Sequence, residues 1–306
     1  MTIRANHDGR GRRRAGLAAG LALAALLAGC GAPEFDGRSA FRYLERQCEF
    51  GPRPPGSPAH EETLAWLAEE LARFADDVAV QRFAAVMDTR SVELANVIAS
   101  FRPGERRRVL FAAHWDTRSI ADRDPDPQAR ATPIPGANDG ASGVAVLLEL
   151  ARMMSERPPG IGVDLVLFDG EDGGDGGGLS DWCLGSAYYA SRMGGYCPAY
   201  AVVIDMIGDA DLSISREPNS VAASGAAVER VWEAARRVGA TAFVDRPGAP
   251  VYDDHVPLIQ AGVPAVLVID FDYRYWHTLE DTPDKCSAVS LEQVGSVLTS
   301  LVYGSR

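Results

Sequence analysis

Val109-Leu110-Phe111-Ala112-Ala113-His114 reads as a short strand that ends on a polar residue. Its apolar run has no polar face, which marks a strand buried on both sides in the middle of a sheet. Residues 163–168, 201–204 and 265–269 have the same character. Helical patterns stand between them. The clearest is 141–154, where Val144, Leu147, Leu148, Ala151 and Met154 recur at helical spacing. Strands alternating with helices predict an α/β sandwich.

The chain around this core extends the pattern. Residues 41–50 read as a helix, and Gly51-Pro52-Arg53-Pro54-Pro55-Gly56-Ser57-Pro58 as an ordered loop. Residues 61–75 form an amphipathic helix with Leu64, Leu67, Ala68, Leu71 and Phe74 on one face. Strands are expected at 78–85 and 92–101, and a loop at 120–135. Helices follow at 184–192, 226–238 and 291–301, and the glycine-rich stretch 173–178 reads as flexible or tightly turned. No repeat or linker divides residues 39–306, so they are expected to form one catalytic domain.

Polar, metal-competent residues follow the buried strands. His114 ends the first. Asp139 lies in Gly136-Ala137-Asn138-Asp139-Gly140, just before a helix. Glu171 and Asp172 follow 163–168, Asp205 closes 201–204, and His277 comes a short loop after 265–269. Ligands of open α/β sheets collect beyond the carboxyl ends of the strands, and zinc accepts this mix of imidazole and carboxylate. His114, Asp139, Asp172, Asp205 and His277 are enough for two zinc ions bridged by Asp139. Asp139, Asp172 and His277 are enough for one. Side chains of adjacent residues diverge, so Glu171 is left free as a general base or acid. Each residue has a structural reading of its own, such as a helix cap for Asp139. Their meeting at one sheet edge favours the site.

The first thirty residues differ in character. Arg10, Arg12, Arg13 and Arg14 precede a small, apolar run that ends in Leu27-Ala28-Gly29-Cys30. This is the pattern of a signal peptide over residues 1–29, and its end resembles the bacterial lipobox. The expectation is an exported lipoprotein, held in a bacterial membrane by a lipid on Cys30 and facing the periplasm or cell exterior, with a tether at 30–38. Removing the five Arg and one Asp of that segment takes the formal charge from −12 to about −16. Such acidity excludes nucleic acid as a partner, and a monomer is expected. The remaining cysteines, Cys48, Cys183, Cys197 and Cys286, permit two disulfides, with Cys183–Cys197 expected on closeness in sequence.

Ala113-His114-Trp115-Asp116-Thr117-Arg118, the stretch from Pro135 through Asn138-Asp139-Gly140 to Gly143, Leu167-Phe168-Asp169-Gly170-Glu171-Asp172 and Trp276-His277-Thr278 resemble, in order, the co-catalytic zinc aminopeptidases. They are most similar to the branch that contains the animal-type and bacterial glutaminyl cyclases. The resemblance runs from about residue 41 to 301. It implies a three-layer sandwich whose mixed, mostly parallel central sheet is flanked by helices. It implies zinc ligands at Asp139, Asp172 and His277 and a proton carrier at Glu171. His114 and Asp205 match the second zinc site of the aminopeptidases, and Asp116 the support of the imidazole; the cyclases generally use one zinc.

Two residues incline the resemblance toward the cyclases. Asp253 stands where the aminopeptidases usually carry serine, and Trp276 where they more often carry tyrosine. Asp205 and Asp253 are then expected to hold Glu171, and Trp276 with Trp182 to wall a small substrate pocket. The chain departs from the animal enzymes at Asp172, where they carry glutamate, at Ala113, where they carry a disulfide-forming cysteine, and in the loop 173–178. Three functions are therefore compatible with these residues. The first is cyclisation of N-terminal glutamine in peptides or proteins. The second is two-zinc aminopeptidase activity, and the third is binding without catalysis.

Overall fold

The computed structural model describes residues 33–87, 89–174 and 179–304. The expected signal peptide at 1–29, Cys30 at the start of the expected tether, and residues 175–178 of the glycine-rich stretch lie outside the described residues. The chain joins the fold earlier than the expected tether allows. Phe35 is buried, packed where a side chain at Gly295 would stand. Asp36 then caps α1 (Gly37–Glu49) by accepting from the N–H groups of Arg38 and Ser39. The second helix also starts early: α2 (Pro58–Ala72) has Ser57 as its cap and proline in its first turn, a combination that starts helices well.

The hairpin β1 (Asp77–Met87) and β2 (Arg90–Phe101) leads to β3 (Arg108–His114), α3 (Ala141–Glu156) and β4 (Gly162–Phe168). Then come α4 (Leu184–Arg192), β5 (Ala201–Asp205), β6 (Ile214–Arg216), α5 (Pro218–Val238), β7 (Phe243–Pro247), α6 (His255–Gln260), β8 (Ala265–Ile269) and α7 (Ala288–Tyr303). The six-stranded sheet has the order β1-β2-β4-β3-β5-β8. Strands β4, β3, β5 and β8 are mutually parallel, whereas β1 and β2 are antiparallel to their neighbours. The sheet is thus mixed and mostly parallel, as expected.

Alternation of side chains along the strands divides the core in two. One set, including Phe111, Leu165, Val202 and Val268, packs with residues of α1, α2, α3, α5 and α7. The other, including Leu110, Val166, Val203 and Leu267, packs with Tyr189 of α4 and Leu258 of α6. These are the three layers. Strand β3 lies between β4 and β5, and the connection leaving β3 runs to β4 whereas the one leaving its neighbour β5 runs the opposite way, toward β8. A crevice opens at their carboxyl ends.

Some elements escape the periodicity. The short parallel pair β6 and β7 and the six-residue α6 are too brief to show a period. Helix α5 begins at Pro218 rather than 226, with a break at Ser224 (φ −140°); its first turns, Asn219-Ser220-Val221-Ala222-Ala223, are small and polar and carry little amphipathic signal.

Candidate metal centre and active site

The parallel strands deliver the donors to one edge. His114 is the last residue of β3 and Asp205 the last of β5. Two groups form there, each with ligand atoms within 4.8 Å of one another: His114, Asp139 and Asp205, and Asp139, Asp172 and His277. The five expected donors are thus brought together, with Asp139 common to both groups. His114 Nε2 lies 3.2 Å from Asp139 Oδ1 and 3.1 Å from Asp205 Oδ1. His277 Nε2 lies 3.7 Å from Asp139 Oδ2 and 3.4 Å from Asp172 Oδ1.

These separations fit zinc. Donors about 2.1 Å from a tetrahedral ion stand roughly 3.4 Å apart. Asp139 turns one oxygen to each group, as a bridging carboxylate does. Asp172 Oδ2 is buried without a hydrogen-bond partner among the described residues, a costly state unless a cation takes it. The electrostatics agree. Burial disfavours a charged imidazole, but Asp172, Asp122 and Asp139 outweigh it and push His277 up to about 9. A site that draws a proton so strongly seeks positive charge.

Acids around the donors hold them in place, most of them buried. Asp116 accepts from the backbone N–H groups of Glu171 and Asp172 and lies 3.5 Å from His114 Nδ1, which makes no hydrogen bond among the described residues. Asp281 accepts from the N–H groups of Asn138 and Asp139 and from the Tyr273 hydroxyl. Asp122 lies 3.0 Å from His277 Nδ1, and Arg118 reaches both Asp122 and Asp172. Asp139 does not cap α3. The cap position belongs to Gly140, at φ 99°, where a Cβ would come within 2.6 Å of Asp116 O and 3.2 Å of His114 Cε1. Only glycine lets the helix start this close to the donors.

Glu171 stands apart from both groups. It is 7% exposed, and its Oε1 lies 3.4 Å from Cys183 Sγ. Burial, reinforced by Asp253, Asp172 and Asp254 and opposed by His114, holds its carboxyl well above the usual carboxylate range. Asp253 is itself pushed up to about 7, by burial and then by Asp205. Asp205 Oδ1 also accepts from the N–H of Met206. Left-handed backbone at Cys183, Met206 and His277 (φ 57°, 45° and 58°) borders the same centre; such conformations persist where the surroundings over-determine them.

Both expected pocket tryptophans flank His277. The Trp276 ring centroid is 4.1 Å from that of the imidazole, and Trp182 is nearly parallel to it at 6.2 Å. Arg118 covers Trp182, and Arg123 covers Trp276. The expected Cys183–Cys197 disulfide is absent: all four described cysteines are free thiols. Cys183 is buried beside Glu171, whereas Cys197 is exposed and contacts the carbonyl of Pro198; closeness in sequence did not bring their side chains together.

Sequence reasoning missed Arg118, Asp122, Asp281 and the role of Cys183. Arg118 and Asp122 carry a weak signal, a basic and an acidic residue four apart just beyond His114. Asp281 has none, because its partners are about 140 residues away.

A sandwich of this topology, with two zinc-type donor groups at its switch point and a free carboxyl beside them, is the arrangement of a zinc-dependent enzyme. The chain belongs to peptidase family M28, whose family model matches residues 96–302. Among solved structures, the glutaminyl cyclase of Tannerella forsythia is 36% identical with a TM-score of 0.86, covering 90% of this chain and 100% of that one. A leucine aminopeptidase precursor from Bacteroides thetaiotaomicron is 33% identical with a TM-score of 0.88, covering 90% and 99%. The glutaminyl-peptide cyclotransferase of Bos taurus is 22% identical over 285 residues, 82% of this chain and 77% of that protein. Family and neighbours together imply zinc.

Proposed function

We propose that this enzyme is a glutaminyl-peptide cyclotransferase, converting the N-terminal glutamine of a peptide or protein to pyroglutamate. The observation that carries the reading is the pair of tryptophans, Trp276 and Trp182, that flank His277; Glu171, buried beside the donors yet outside both groups, is the proton carrier in either reaction. Asp139, Asp172 and His277 would hold zinc, which when bound would supply Lewis acidity toward a carbonyl such as the substrate's γ-carbonyl. The α-nitrogen forms a bond to the γ-carbonyl carbon, and the bond from that carbon to the amide nitrogen breaks. Glu171 accepts a proton from the attacking amine and returns it to the departing nitrogen, which leaves as ammonia. Trp276 and Trp182 hold the side chain folded for this ring closure, where orientation contributes much of the rate. Asp205 and Asp253 fix the charge around Glu171. Cyclases among the structural neighbours support the reading.

A second reading has an observation of its own. Asp139 presents one oxygen to each donor group, which suits two ions and hydrolysis of the first peptide bond, with Glu171 activating water. Incubating the protein with a Gln-initiated and a Leu-initiated peptide, with zinc counted on the same sample, separates the readings. Ammonia release with one zinc per chain supports cyclisation. Free leucine with two zinc ions and no ammonia rejects it. In either reaction Glu171→Gln should keep zinc and fold while turnover falls roughly 10²–10⁴-fold; near-normal turnover removes Glu171 from its role.

A further inference from the structure

Cys183 is a fully buried thiol that the proposed reaction does not use. It opens α4 from a left-handed conformation (φ 57°). Its backbone N–H donates to the Glu171 carbonyl at 3.0 Å, and the next N–H, of Leu184, donates to the Gly170 carbonyl at 3.0 Å. Its own carbonyl accepts from the Ser186 hydroxyl. Gly185 seats the helix start against the Glu171 loop, since a Cβ there would lie 2.4 Å from the Asp169 carbonyl oxygen. The same residue therefore meets Glu171 twice: its backbone holds the main chain, and its Sγ lies 3.4 Å from Oε1 of the carboxyl.

We infer that Cys183 is the positioning residue of the proton carrier, its S–H donating to Oε1 of Glu171 so that the carboxyl is held toward the substrate. The thiol suits the task. Burial first, and then the charges of Glu171, Asp254 and Asp253, raise its pKa well above the usual thiol range. It therefore stays protonated and donates. A weak donor also has an advantage here. It orients the carboxyl through a fixed S–H donor without placing a second charge beside it, as an ammonium or guanidinium would. The left-handed backbone is explained in the same terms: it turns N–H and Sγ toward one neighbour.

This inference rests on Glu171 carrying the proton, not on which product forms. The test therefore uses whichever reaction the wild-type enzyme performs on the two peptides, with Glu171→Gln alongside. Cys183→Ala and Cys183→Ser are compared with wild type for kcat, KM, zinc per chain and Tm. Cys183→Ala should lose roughly 10-fold in kcat, the scale of one ordinary hydrogen bond, with KM and zinc content little changed. Cys183→Ser keeps a donor and should recover most of that loss. Wild-type kcat in the folded Cys183→Ala overturns the inference. So does an equal loss in both variants, because it points to packing rather than donation. Should Cys183→Ala not fold, Cys183→Ser decides alone: kcat within about fivefold of wild type supports the inference, and a larger loss at native Tm overturns it. If Glu171→Gln turns over normally, the underlying assignment has failed, and that result is distinct from either of these.

Discussion

Asp122 shows how one residue conditions the centre without joining it. It stands in the stretch 120–135, whose composition suggests only a loop. In the fold its Oδ1 lies 3.0 Å from His277 Nδ1 and 2.8 Å from Arg118 Nε. Burial alone would favour a neutral carboxyl there, but His277 and Arg118 hold it charged, well below the usual range. A carboxylate on Nδ1 fixes the tautomer of the imidazole and presents Nε2 to the ion. Asp122→Ala should therefore weaken zinc binding roughly 10- to 100-fold, as read by competition with a chromophoric chelator. Unchanged affinity would show that packing by Trp276 and Trp182 orients His277 without it.

At the scale of elements, Glu217 joins two helices behind the active-site edge. Its carboxylate caps α5 by accepting from the N–H groups of Asn219 and Ser220. One oxygen lies 3.2 Å from Nε2 of His255, the first residue of α6. This joint fixes the chain at Asp253 and Asp254, immediately before α6. Burial opposes the charge on Glu217, but His255 and the helix N–H groups outweigh it and hold the pKa at about 2. The folded value is below the unfolded one. Its contribution to stability is therefore present above about pH 4.5 and lost as pH falls toward 2. Glu217→Gln should lower stability near neutral pH by a few kcal/mol, on the order of 3. Urea unfolding curves of the two proteins should converge between about pH 4.5 and 2. A gap that stays constant across that range would mean the carboxylate charge contributes nothing.

For the molecule as a whole, the main electrostatic feature is the gathering of buried acids at one sheet edge in a chain whose formal charge is already −12. Bringing Asp116, Asp139, Asp172, Asp205 and Asp281 together opposes folding unless a cation enters with them. Zinc binds the folded donors and not the separated ones, so it should stabilise by mass action, by about 2.7 kcal/mol at a hundredfold excess over Kd. Chelation followed by dialysis should lower Tm by several degrees, and added zinc should restore it. An unchanged Tm would show that the fold bears its acids without the ion.

The layered α/β class and the residues at the strand ends were legible in the sequence, because both are local. A buried strand declares itself by an unbroken apolar run, and its exit by the first polar residue, as at His114. Short elements such as β6, β7 and α6 were not legible, because a period needs length to show. The surroundings of the site were invisible for another reason. Asp281 lies some 140 residues from the N–H groups it accepts from, and only tertiary packing pairs them. The tertiary structure likewise set Cys183 against Glu171 rather than Cys197. Residue types and strand ends follow from neighbours along the chain, whereas partners in space follow from how the layers close on one another.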